Sequence, residues 1–186
     1  MAYIGLGANL PSLSGPPQAT LSAAAQRLQS LGRLVSRSSL YSTQPVGFAE
    51  QPRFVNAAVA LHTDLAPRAL LDRLLAVEKD FGRDRSAGIA NGPRTLDLDI
   101  LLFDNLILRN PGLEIPHPRL AERAFVLVPL AEIAPHIVDP CSRQTMSQLL
   151  LNLQSSSMSK IDAVVQIQND DWHAGADRGD ADPAKP

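Results

Sequence analysis

The stretch Gly92-Pro93-Arg94-Thr95-Leu96-Asp97-Leu98-Asp99-Ile100 sets an arginine and two carboxylates in an alternating apolar frame. Side chains alternate along a strand, so Thr95, Asp97, Asp99 and Leu101 are expected on one face and Leu96, Leu98, Ile100 and Leu102 on the other. The aliphatic face must be core. The two carboxylates then lie side by side, roughly 7 Å apart, where Asp is disfavoured in a strand and like charges repel. Such a pair suits Mg²⁺, which takes one or two carboxylates, keeps several waters and completes its shell with phosphate oxygens. A solvated edge strand with its polar side outward has the same pattern, and alternation alone leaves both readings open.

Cations gather nearby. Arg83 and Arg85 lie in a loop with Gly82 and Gly88, and Arg94 opens the Asp strand. Guanidinium groups converging with a metal-bearing carboxylate pair could hold a polyphosphate and stabilise its transfer, although plain Arg–Asp salt bridges would use the same residues. A second strand, from Arg53, carries Val55, Ala57, Val59 and Leu61 on one face and Phe54, Asn56, Ala58 and Ala60 on the other. A ring and a carboxamide above two alanines suit a flat heteroaromatic ligand; a Phe packed under a neighbouring loop is the alternative.

These residues need elements to place them. Residues 2–8 read as a buried strand and 17–31 as a helix; 34–43 and 53–63 read as strands. Pro67 opens a helix with Leu70, Leu74, Val77 and Phe81 at helical spacing, and Gly82 closes it. The Asp strand spans 95–103. The order β-α-β-β-α-β predicts an α+β, ferredoxin-like antiparallel sheet with helices packed on it. A C-terminal extension follows, with short helices within 119–133 and 144–153 and a last strand at 161–168. One domain is expected over 1–168 and a disordered acidic tail over 169–186, rich in Asp, Gly and Pro.

Composition excludes several classes. The 186 residues are 45% apolar with net charge −2, and the tail supplies the acidic excess. No run approaches membrane-spanning length, and no basic leader precedes the first strand, so a cytoplasmic protein is expected. One Cys and four scattered His make neither a disulfide framework nor a zinc site. Gly5-Leu6-Gly7 fails as a dinucleotide fingerprint because Leu10 stands where the third glycine should and Pro11 interrupts the helix. No Lys follows a Gly as a P-loop requires. Near-neutral charge without the RNP aromatic pattern argues against RNA. A nucleotide handled here is bound by other means.

Several segments together are similar to the 6-hydroxymethyl-7,8-dihydropterin pyrophosphokinases of folate biosynthesis. They are Tyr3 to Leu10, Ser39 to Gly47, Phe54 to Ala57, Gly82 to Arg85, Gly92 to Leu102, Ile115 to Pro118 and Arg123 to Leu127. The resemblance, over roughly residues 3–153, implies transfer of pyrophosphate from ATP to the pterin hydroxymethyl group, with release of AMP. It implies two Mg²⁺ ions on Asp97 and Asp99, catalytic Arg83 and Arg94, and nucleotide contacts from Arg85, Ile100, His117 and Arg123. The pterin would lie between Phe54 and Phe125, reading Asn56 and the backbone of Thr43, Pro45 and Val46. ATP and the pterin are the expected partners, with no nucleic acid or membrane, and the protein is expected to be a monomer. Ala90-Asn91 replaces an Arg-Trp pair common in the resembled family. A fold-retaining binding module without turnover is therefore the competing expectation. Of the eight aromatic residues, Trp172 alone falls in the acidic tail, where no core is expected to need it.

Overall fold

The computed structural model describes residues 1–48, 50–85, 92–156, 163–169 and 172. Strand β1 (Ala2–Ala8) leads into helix α1 (Pro17–Leu28), then strands β2 (Arg33–Arg37), β3 (Leu40–Thr43) and β4 (Phe54–His62). Helix α2 (Pro67–Asp80) precedes strand β5 (Asp97–Phe103). A small hairpin of β6 (Leu108–Asn110) and β7 (Leu113–Ile115) follows, then helices α3 (Ala124–Ile133) and α4 (Met146–Ser156) and strand β8 (Val164–Ile167). The main sheet runs β5-β1-β4-β3-β8, with β2 also on β4, and these pairings are antiparallel. Taken as one interrupted strand, β2 and β3 complete the expected ferredoxin-like order.

The sheet is covered on both sides, which is why β4 is buried almost throughout. Val55, Ala57, Val59 and Leu61 face α1 and α2 with Ile4, Leu6, Leu21, Leu74 and Leu98. Ala58 faces the second core, built by Leu127 and Leu130 of α3 with Met146 and Leu149 of α4. Pro67 at the first turn presets α2, whose Leu70, Leu74 and Val77 are buried as their spacing predicts. Gly82, at φ 83°, ends that helix and lets the Arg83 N–H return to Glu78 O at 3.0 Å.

Three expectations change. Leu102 does not share the face of Leu98 and Ile100. The β1–β5 register skips Leu101, pairing Tyr3 with Leu102 and Ile4 with Ile100. This bulge puts Leu101 and Leu102 together in the α3–α4 core. The strand expected over 34–43 breaks at Ser38-Ser39. There the Ser38 hydroxyl accepts the Ala58 N–H at 2.9 Å, as a ladder carbonyl would, while Glu132 of α3 accepts the Ser39 N–H. The β6–β7 hairpin went unforeseen because three-residue strands carry too little periodicity to read.

The third correction is Trp172, which is fully buried in the α1–α2 core at 0% exposure. Because the Ser38 hydroxyl serves Ala58, the Ser38 carbonyl is released, and Trp172 Nε1 donates to it at 2.6 Å. Arg37 lies 5.5 Å over the indole and donates to the Trp172 carbonyl at 3.2 Å. β8 pairs with β3 just upstream, from Leu40↔Ile167 to Thr43↔Val164, so this segment closes the sheet edge. The expected disorder of the remaining tail concerns positions outside the described residues.

Trp172→Ala should cost about 3–5 kcal/mol of stability, the range for emptying a buried aromatic site. Trp172→Phe should cost less, about 1–3 kcal/mol, chiefly for the carbonyl left without a donor. Urea unfolding followed by circular dichroism measures both. A chain ending at Asp171 with unchanged stability would contradict this packing.

Candidate active site

On the α3 side of the sheet, a cleft of about 240 Å³ opens between β1, β4, β5, the loop after β3 and the start of α3. Its floor is glycine: Gly5 pairs with Asp99 and Gly7 with both Asp97 and Asn56. A β-carbon on Gly7 would sit 3.0 Å from Asn56 Oδ1, so a side chain there would press on the carboxamide. The motif that failed as a dinucleotide fingerprint thus leaves room beside the carboxylates.

Asp97 and Asp99 both face the cleft, as the alternation predicts. Arg83 Nη1 lies 3.0 Å from Asp97 Oδ1 and donates to Leu96 O at 2.7 Å. Arg94 Nε is 3.4 Å from Asp97 Oδ2, an ion pair that lacks hydrogen-bond geometry and leaves that donor without an acceptor among the described residues. Arg94 is held through its backbone: its N–H donates to Asn9 Oδ1 at 2.8 Å, and its carbonyl accepts from the N–H groups of Asn9 and Leu10. Asn9 also donates to Gln51 and to Pro52 O, which ties the start of the Asp strand to the turn before Phe54.

Asp99 has no such cationic partner at contact distance among the described residues. Its carboxyl is pushed up to about 6, by burial first, then by Asp97 and Glu78, with Arg123 and Arg94 opposing. A carboxylate pair with surplus negative charge is the donor set a hard divalent cation neutralises. Among the described residues no three His, Cys, Asp or Glu side chains are grouped to hold a metal. Two carboxylates with water and phosphate oxygens meet the needs of Mg²⁺ without a third.

Phe54 and Phe125 line the same cleft, each with a guanidinium over its ring: Arg94 at 5.0 Å from the Phe54 centroid and Arg123 at 5.4 Å from that of Phe125. Asn56 Nδ2 donates to Thr43 Oγ1 at 2.7 Å, which fixes the carboxamide and leaves its oxygen toward Gly7. Five arginines, at 83, 85, 94, 119 and 123, surround two aspartates, so the cleft wall is strongly cationic.

A model of the 7,8-dihydro-6-hydroxymethylpterin-pyrophosphokinase family (HPPK) matches residues 3–135, which include this whole cleft. The chain belongs to this family. It is 50% identical over 141 residues to a 2-amino-4-hydroxy-6-hydroxymethyldihydropteridine pyrophosphokinase of Pseudomonas aeruginosa, covering 76% of this chain and 85% of that one. It is 42% identical over 162 residues to the enzyme of the same name from Haemophilus influenzae, covering 86% and 97%. In fold it matches a Plasmodium falciparum HPPK-DHPS chain with TM-score 0.72 at 15% identity, over 90% of this chain and 49% of the longer one. HPPK membership makes the chain an enzyme of pyrophosphoryl transfer in folate biosynthesis. Among its described residues no helix is long and apolar enough to cross a membrane.

Of the site residues expected from the HPPK resemblance, the cleft gathers Thr43, Val46, Phe54, Asn56, Arg83, Arg85, Arg94, Asp97, Asp99, His117, Arg123 and Phe125. The Ile100 side chain packs in the α1–α2 core, and Pro45 stands between Gln44 and Val46, both of which line the cleft. Ala90 and Asn91 fall outside the described residues. Sequence reading missed Gly5, Gly7, Gln44 and Arg119 as cleft residues; only the paired glycines carried a signal, and it was spent on the wrong motif.

His117 joins β5 to the cleft rim. Its N–H donates to Leu101 O at 2.9 Å, and its Nδ1 accepts the Arg119 N–H at 3.2 Å, so in the neutral ring Nε2 carries the proton. Burial first, then Arg123 and Arg119, lowers its pKa to about 4 from 6.5. The unfolded chain therefore takes up this proton first as pH falls. Above pH 6.5 the ring is neutral in both states and the group adds nothing; between 6.5 and about 4 stability falls progressively, because only the unfolded chain is protonated there. An NMR titration should place the His117 midpoint near 4. His117→Gln should flatten the acid loss of stability in that window by up to about 2 kcal/mol.

Proposed function

We propose that this chain transfers pyrophosphate from ATP to the hydroxymethyl oxygen of 6-hydroxymethyl-7,8-dihydropterin and releases AMP. The observation that carries the reading is the meeting, in one cleft, of a carboxylate pair, five arginines and two phenylalanine rings. The hydroxyl oxygen attacks the β-phosphorus, and the bond from that phosphorus to the α–β bridging oxygen breaks. The bridging oxygen leaves on AMP, and the hydroxyl proton passes to solvent.

Asp97 and Asp99 would hold two Mg²⁺ ions, which when bound neutralise phosphate charge and acidify the attacking hydroxyl. Arg83 and Arg94 would stabilise the charge that develops on the transferred group; the Arg94 Nε without an acceptor supports that role. Arg85, Arg123 and neutral His117 would bind the nucleotide. Phe54 and Phe125 would sandwich the pterin, Asn56 and Thr43 would read its edge, and Val46 would cover it. The two rings already accept planar cations on their faces, which supports stacking of a flat heterocycle. The same reading takes the protein to act as a monomer in the cytoplasm, in keeping with the lack, among the described residues, of a helix long and apolar enough to cross a membrane.

With ATP, Mg²⁺ and the pterin, AMP should form; ADP or free phosphate instead would overturn the reading. Asp97→Asn or Asp99→Asn should cut turnover by roughly 10³ or more; Asp99→Asn should leave the melting curve near wild type, because among the described residues Asp99 has no ion pair to lose. Arg94→Ala should lower kcat by on the order of 10² to 10³. A loss confined to KM would assign Arg94 to ground-state binding instead.

A further inference from the structure

Glu78, near the C-terminal end of α2, is the most deeply buried acid among the described residues, at 1% exposure, and it does not line the cleft. Its Oε1 accepts the Leu98 N–H at 2.8 Å, the peptide group lying between Asp97 and Asp99. Its Oε2 accepts from Arg85 at two points, Nε at 3.0 Å and Nη2 at 2.6 Å. Both neighbours are parts of the cleft, but Glu78 itself is not among its lining residues.

A structural purpose alone does not account for a charge here. Closing the edge of β5 at Leu98 needs only an acceptor, which a glutamine oxygen provides equally well. A buried carboxylate costs desolvation, and this one adds a third negative charge behind Asp97 and Asp99. What a carboxylate supplies and an amide cannot is a fixed counter-charge for the half-exposed Arg85, 54% open to solvent. An amide NH₂ in place of Oε2 would face the guanidinium donors and release them.

We propose that Glu78 is a positioning residue for the transfer, with one oxygen setting the backbone between the two metal-binding aspartates and the other holding Arg85 beside them. A single carboxylate thereby fixes the place of a phosphate-binding cation relative to the carboxylate pair. Both of its oxygens are already engaged and it does not line the cleft itself, so it is neither a metal ligand nor a catalytic residue. The proposal rests on the roles given above to Asp97, Asp99 and Arg85.

The test pairs Glu78→Gln, which keeps the Leu98 acceptor and loses the Arg85 counter-charge, with Arg85→Ala and the double variant. Binding of an α,β-methylene ATP analogue with Mg²⁺ is followed by titration calorimetry, alongside kcat, KM and melting temperature. Glu78→Gln should weaken analogue binding and lower kcat/KM by about 10- to 100-fold, as a misplaced binding group does, with a melting temperature within a few degrees of wild type. The double variant should be no worse than Arg85→Ala, because both remove the same placement. Multiplying losses in the double variant, or full binding and turnover in Glu78→Gln, overturn the proposal while wild-type AMP formation upholds the reading of the site. A wild-type chain that neither binds the analogue nor forms AMP overturns both.

Discussion

β5 is an edge strand, and its outer backbone groups must be bonded by something other than a strand. Arg83 takes Leu96 O, Glu78 takes the Leu98 N–H, and the His117 N–H takes Leu101 O. An unpaired edge invites association with other chains, and leaving such groups buried without partners costs about 1–3 kcal/mol each. Here the closing groups come from the end of α2, the turn after it and the loop after β7. The bonds that finish the sheet are thus the ones that bring Arg83, Arg85 and His117 to the two aspartates, so one set of contacts serves both fold and site along this edge.

The same strand shows how a local irregularity serves both cores. The bulge at Leu101 turns Leu101 and Leu102 to the α3–α4 side, while Leu96, Leu98 and Ile100 stay on the α1–α2 side. It also frees Leu101 O for His117. Opposite the aspartates, glycines at 5 and 7 keep β1 bare, so the cleft has depth where the carboxylates need it. A larger residue at 7 would meet the Asn56 carboxamide, which Thr43 already holds.

Electrostatically the cleft is uneven by construction. Arg83 and Arg94 are drawn to Asp97, Arg85 to Glu78, and Asp99 is left with raised proton affinity, about 6, among like charges. Burial first, then Arg123 and Arg119, keeps His117 neutral, and these two arginines have no acid at ion-pair distance among the described residues. An anion that brings its own cations satisfies both kinds of surplus at once, which is the electrostatic signature of a metal-bound polyphosphate.

Local chemistry was legible in the residues alone. Period-two alternation set Asp97 with Asp99 and Phe54 with Asn56, Pro67 and Gly82 bounded α2, and the element order announced the antiparallel sheet. These features depend on neighbours in sequence, whose geometry a strand or helix dictates by itself. Whatever depends on partners remote in the chain had to wait for the tertiary structure. Trp172 read as tail because its need is a carbonyl 134 positions away, released by a hydroxyl swap at Ser38. Leu102 changed faces through a bulge that only pairing with β1 defines. Glu78 looked like one more charge on a helix until packing put its two oxygens between Leu98 and Arg85. The residue types were enough to name the chemistry, and only the packing of edge strand against helix end decided which groups reach it.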